Sequence, residues 1–189
     1  MRRVFLFLKY VPASRKAQLN STASDRQVFL LGAGAVEYRL EHRLHTVVGR
    51  STEPEFVMVA DENGLRVMAR VRVNSFDSGN ANRDAHTLEV VDAAHHPYVI
   101  VRGVAEGFRL PSEPKSVRVP FRGEIELKGV KVERPLEAVL EFHEDGAVSA
   151  SFEFTQSLEA HEIERPSLFM IRVDDSLEVR GEARLEKVK

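Results

Sequence analysis

The side chains able to do chemistry are few in this chain. Cysteine is absent, which removes disulfides, thiolate metal sites and cysteine nucleophiles. Of the seven histidines, His42 is the one in an informative place. Val36, Tyr38, Leu40, His42 and Leu44 alternate with Glu37, Arg39, Glu41, Arg43 and His45. A period of two marks a β-strand with one apolar and one wet face. On that parity His42 sits on the apolar face, where an imidazole needs a hydrogen-bond partner within the protein or a polar group of a ligand. His45 takes the opposite parity, so the two should not share a metal while the strand is regular.

A second set follows the stretch NSFDSGNAN: Arg83, Asp84 and His86. Asn80 or Asn82 can cap a helix here, Ala85 and Leu88 have helical spacing, and Pro97 bars its continuation. Arg83 and His86 share a face at a spacing of three, and Asp84 lies where a helix dipole favours an anion. The three form either a polar knot that locks the loop, or a polar lid whose Arg83 and His86 reach a carbonyl or a phosphate. Other signals are weak. His95 and His96 are adjacent and point apart on extended chain, with no carboxylate–histidine set beside them, so no metal is expected. There is no GxSxG elbow and no glycine-rich phosphate loop. The expectation is a protein that is not an enzyme and has no cofactor. The competing reading is an enzyme acting on an amphiphile, with His42 and either Asp84 or His86 as acid and base.

The elements that must hold these residues are mostly strands. Gln27 to Leu31 reads as a short strand broken at Gly32 to Gly34, and Val36 to Val48 as a long one. Glu55 to Ala60 and Leu65 to Phe76 flank the turn signal DENG. A short helix is expected over Asn82 to Ala94. Strands resume at Tyr98 to Ala105, Ser116 to Leu127, Leu136 to His143, Ala147 to Leu158 and Leu177 to Leu185, with Glu159 to Pro166 a loop. About eight strands with one helix leave little to cover a second sheet face. Such a sheet must fold on itself as a sandwich or a closed barrel, its inside filled by side chains or holding one ligand.

The 189 residues suffice for one domain with a sizeable core. A net charge of −2 argues against nucleic acid as a partner, and no apolar run approaches the length of a membrane span. The first 26 residues read as an N-terminal extension or a degenerate signal: Val4 to Leu8 is a short apolar run that Lys9 interrupts. The domain proper is 27–189. The location leans towards the cytoplasm, and becomes periplasmic if Met1 to Arg15 acts as a signal.

The segments LEHRLHTVVGRS, VNSFDSGNANRDAH and IERPSLF with VDDSLEV occur in this order and resemble the YceI-like family of bacterial proteins. The resemblance runs over roughly Gln27 to Leu185 and is most specific at Asp77, Gly79, Asn80, Arg83, Asp84 and His86. It implies an all-β fold: an extended, antiparallel, eight-stranded, lipocalin-like β-barrel with the short helix covering an end. It also implies non-catalytic binding, storage or transport of a long isoprenoid lipid, a quinone or a polyprenyl phosphate, in an apolar pore. A homodimer is a further expectation it carries, and stable membrane insertion is not expected. Parity then nominates Val36, Tyr38, Leu40, His42, Leu44, Val67, Val71, Val119, Phe121, Ile125, Phe152 and Phe154 as the tail-binding face, and Arg83, Asp84 and His86 as head-group or lid residues. A barrel filled by its own side chains and serving as a stress-linked interaction module is the remaining alternative.

Overall fold

The computed structural model describes residues 26–42, 45–165, 167–168 and 171–188. Residues 1–25 of the N-terminal extension, Leu44 and Pro166 lie outside the described residues. The strands are β1 (Gln27–His42), β2 (His45–Ser51), β3 (Glu55–Asp61), β4 (Gly64–Arg72), β5 (Tyr98–Glu106), β6 (Lys115–Leu127), β7 (Val130–Phe142), β8 (Val148–Ser157), β9 (Ser167–Leu168), β10 (Ile171–Arg172) and β11 (Ser176–Lys187). The helix α1 spans Ala81–Val90 between β4 and β5. Eight strands pair antiparallel in the order β1, β3, β4, β5, β6, β7, β8, β11, and β11 returns to β1, which closes the barrel. Closure pairs the terminal strands β1 and β11, which an open sheet would leave as edges.

The first strands differ from the expectation. Val36 to Val48 is not one strand. The chain turns after His42, and His42 stands opposite His45 at the start of β2. The parity contrast between the two histidines, which assumed one continuous strand, therefore does not apply. Gly32 to Gly34 does not break β1 either; the register on β11 slips between Leu31 and Ala33, which is a bulge. A Cβ on Gly34 would stand 2.8 Å from the Glu182 carbonyl oxygen, so glycine is what permits this close approach. One register runs along the other edge of β1: Val36–His42 pairs with β2 and Gln27–Leu30 with β3. β2 and β3 thus act as one long strand with a kink before Glu55.

Two further boundaries moved. β7 begins at Val130 rather than Leu136 because Lys128 and Gly129 both adopt positive φ, 52° and 76°, and form a tight hairpin turn after β6. The helix is shorter than Asn82 to Ala94: it ends at Val90, and Asp92 takes φ 50° in the turn that follows. Asn80 is the N-cap, its side chain accepting from the Arg83 amide at 3.1 Å. The helical excursion is tied at both ends. Val73 donates its amide to the Pro97 carbonyl at 3.0 Å, and Arg50 and Asp77 exchange two backbone bonds of 2.9 Å.

The interior divides into two halves. At one end Phe29, Met58, Leu65, Val119, Phe121, Leu140 and Leu185 pack into a solid cluster. At the other, Val73, Val91, Leu127, Leu158, Ile163 and Val173 form a second cluster beneath α1. The alternation could not decide between a filled barrel and a hollow one. The structure has one half of each.

Candidate functional site

The hollow half contains a cavity of about 460 Å³, within the range of roughly 300–1,000 Å³ usual for small-molecule sites. Its wall comes from the helix-proximal ends of the strands. Val36, Tyr38, Leu40 and His42 of β1 line it, as do Val71 of β4, Ile125 of β6, and Phe152 and Phe154 of β8. Val99, Val101, Leu177 and Val179 belong to the same wall and were not nominated from the sequence. Their alternation in β5 and β11 was readable, and continuing the parity argument into those strands would have found them.

Three nominated residues lie elsewhere. Val119 and Phe121 belong to the solid cluster, and Val67 packs against it. Their parity was right, since they face inward. Parity gives the face of a strand and not the depth along it, and these three sit at the filled end. Phe121 is also one of the groups that a Cβ on Gly103 would meet, at 3.2 Å, so packing around it is close. Leu44 lies outside the described residues.

Helix α1 closes the top. Asn82, Arg83, His86, Thr87 and Val90 line the cavity from above. The lid is held by a polar knot. The Ser78 hydroxyl donates to Asp84 Oδ1, and the Ser78 amide lies 3.2 Å from the same oxygen. Arg83 donates from Nε to the Ser78 hydroxyl at 2.9 Å and from Nη2 to the Ser78 carbonyl at 2.5 Å. Asp84 is thus absent from the cavity wall, and its carboxylate is used to hold the turn before the helix. His86 is different: its side chain is 59 % exposed, 3.7 Å from Glu89, so it stands at the mouth.

Tyr38 bridges wall and lid. Its ring meets Phe76 edge-on with centroids 5.3 Å apart. Burial raises its phenol above the ordinary value, with Asp84 adding to the rise, while Thr87 and Arg83 oppose it. The phenol is therefore a neutral hydrogen-bonding group at neutral pH. His42 and Gln156 are the buried polar side chains on the wall. Gln156 was missed in the sequence, although it continues the parity of Phe152 and Phe154.

The adjacent histidines have separate tasks. His95 Nδ1 pairs with Asp92 Oδ1 at 2.8 Å on the surface. The His96 ring packs against Gly129, where a Cβ would stand 2.5 Å from its Cε1. Among the described residues no group of three or more His, Cys, Asp or Glu is placed to hold a metal ion. No helix among them is long and apolar enough to cross a membrane.

This architecture has clear relatives. A polyisoprenoid binding domain from Saccharophagus degradans, implicated in plant cell wall breakdown, superimposes with a TM-score of 0.71 at 11 % identity, covering 85 % of this chain and 98 % of that one. Burkholderia cenocepacia BcnA superimposes with a TM-score of 0.64 at 12 % identity, covering 80 % and 95 %. A Campylobacter jejuni YCEI protein does so at 0.58 and 13 % identity, covering 79 % and 89 %. No curated protein matches the sequence at a significant level. The profile of the YceI-like domain matches residues 29–185, which covers nearly all of the barrel, from within β1 to within β11. By sequence profile and by fold, the chain belongs to the YceI-like family.

Proposed function

We propose that this protein binds a long-chain isoprenoid lipid in its half-barrel cavity, as a carrier or store, and does no chemistry on it. The observation that carries this reading is the cavity itself: about 460 Å³, walled mainly by Val, Leu, Ile and Phe, and floored by a packed core. A hydrocarbon tail needs length and apolar area rather than many polar contacts. Each Å² of apolar surface removed from water contributes roughly 25 cal/mol, so contact area alone gives substantial affinity. The polyisoprenoid binding of the Saccharophagus degradans domain is consistent with this reading.

A quinone or a polyprenyl phosphate would keep its head near polar groups while the tail lies against Leu40, Val71, Ile125 and Phe152. The Ser78–Asp84–Arg83 knot supports a structural role for two of the three lid residues. A thermal titration tests the reading. Adding a long-chain isoprenol should raise the unfolding temperature progressively, with the logarithm of ligand excess over Kd. An unfolding temperature that does not respond to any isoprenol or quinone would contradict it.

A further inference from the structure

The barrel wall has a seam. β7 and β8 share a ladder only from Ala138–Phe152 to Phe142–Val148. Beyond it Val130–Glu137 keeps its pairing with β6, and Glu153–Ser157 keeps its pairing with β11. The two segments do not pair with each other. Continuing the antiparallel register past Ala138–Phe152 would set Arg134 opposite Gln156.

Those two residues do meet, through their side chains. Arg134 donates from Nη1 to Gln156 Oε1 at 3.2 Å and to the Thr155 carbonyl, and its Nε lies 3.5 Å from the Pro135 carbonyl. Its guanidinium carbon stands 5.9 Å from the centre of the Phe154 ring. The register fixes its parity. Arg134 lies opposite Gly123, between Val132 opposite Ile125 and Leu136 opposite Phe121, and both Ile125 and Phe121 are buried. Arg134 therefore stands at a strand position whose inward parity the alternation otherwise gives to apolar side chains, while its guanidinium lies in the partly exposed seam against the Thr155 backbone. Gln156 is 3 % exposed and lines the cavity beside Phe154.

Of the five N–H donors of a guanidinium, those on Nη2 of Arg134 meet no acceptor among the described residues. Stacking and the Gln156 bond hold the group in place beforehand, which lowers the ordering cost of binding. The guanidinium of Arg83, in contrast, is committed to Ser78.

We propose that Arg134 and Gln156, in the β7–β8 seam, form the head-group site for a lipid whose head carries a phosphate-type anionic oxygen. The proposal rests on the lipid-binding reading above. The seam lets such a head stay near water while its tail enters the cavity, and a charge-assisted bond to Arg134 distinguishes an anionic head from a neutral one.

The test compares geranylgeranyl monophosphate with geranylgeraniol, which share a tail, and inorganic phosphate. The wild type should prefer the phosphate lipid by about tenfold or more, as for one hydrogen bond to a charged group. Arg134→Met should bind the alcohol like the wild type and lose the preference. Gln156→Glu, which sets a carboxylate beside the head, should reverse it, and it carries the test should Arg134→Met fail to fold. Arg118→Met, which removes an arginine paired with Glu137 on the outer face, should keep the preference. An unchanged preference in Arg134→Met or in Gln156→Glu would overturn the proposal, as would its loss in Arg118→Met. A wild type that binds both lipids equally overturns this inference alone. One that binds neither overturns the lipid-binding reading with it. Tight binding of inorganic phosphate alone would make the pair a free-phosphate site and overturn the head-group role.

Discussion

The ring of Tyr38 fills the space beside Gly49, its partner across β1 and β2: a Cβ on Gly49 would stand 2.4 Å from Tyr38 Cε1. Phe152 does the same beside Gly181, its partner on β11, where a Cβ would stand 2.4 Å from Cζ. Both rings line the cavity. A glycine opposite an aromatic residue lets the ring lie along the wall instead of crossing the lumen. These two glycines therefore set the width of the cavity.

Gly49→Ala and Gly181→Ala should each drive a ring off the wall. We expect a stability loss of about 1–3 kcal/mol from overpacking, together with weaker lipid uptake, measured by urea denaturation and by titration. Alanine variants with unchanged stability and unchanged uptake would show that the wall has slack.

Filling the cavity should separate binding from folding. Val101→Phe adds a ring at the centre of the hollow half, where there is volume to receive it. Lipid affinity should fall by about tenfold or more through lost apolar contact, with the unfolding temperature of the lipid-free protein kept or raised. Retained affinity would place the tail elsewhere.

The lid should loosen when its knot is cut. Asp84→Ala removes the acceptor of the Ser78 hydroxyl and amide, and Asn80→Ala removes the helix cap. Each should cost about 1–2 kcal/mol locally. Hydrogen exchange across Ala81–Val90 should accelerate while exchange in β6 and β11 stays slow. Uniform acceleration over the whole barrel would instead make the knot part of the global core.

His161 should make the fold sensitive to acid. Its ring is fully buried, Nδ1 donates to the Val130 carbonyl at 3.0 Å, and Nε2 is buried with no hydrogen-bond partner at bonding distance among the described residues. Burial lowers its affinity for a proton below the ordinary histidine value of 6.5, against the smaller opposing effects of the Val130 and Leu127 backbone carbonyls. A second proton would place a charge inside the protein, where the loss of hydration opposes it. The unfolded chain binds a proton near pH 6.5, so stability holds above that value and falls as the pH drops below it. Denaturation curves at pH 7.5 and 5.5 should show this loss, and His161→Leu should remove its share of the pH dependence. An equal slope in the variant would assign the acid sensitivity to other groups.

The fold was legible where period-two alternation was long, as in β4, β6, β8 and β11. It was less so where turn chemistry decided the path. Lys128-Gly129 forms a hairpin with two positive φ values. Without that turn, Val130, Val132 and Arg134 were left out of β7, and with them a charge on the inner parity. The turn after His42 was equally hidden, because Arg39, Glu41, Arg43 and His45 keep alternating through it. For the site, alternation gave the inward face of Val36, Tyr38, Leu40 and His42. It could not give depth, so Val67, Val119 and Phe121 of the filled end were grouped with them. The choice between the polar knot and the polar lid turned on Ser78, a residue whose bonds to Asp84 and Arg83 no sequence pattern reveals.

The central claim, a tail held in the hollow half of the barrel, is tested most directly by native mass spectrometry of the gently purified protein, followed by extraction and lipid mass analysis. One polyisoprenoid or isoprenoid quinone per chain, absent from Val101→Phe, is the predicted result. A lipid-free mass, in a protein that also takes up no added quinone or polyprenyl phosphate, would contradict it.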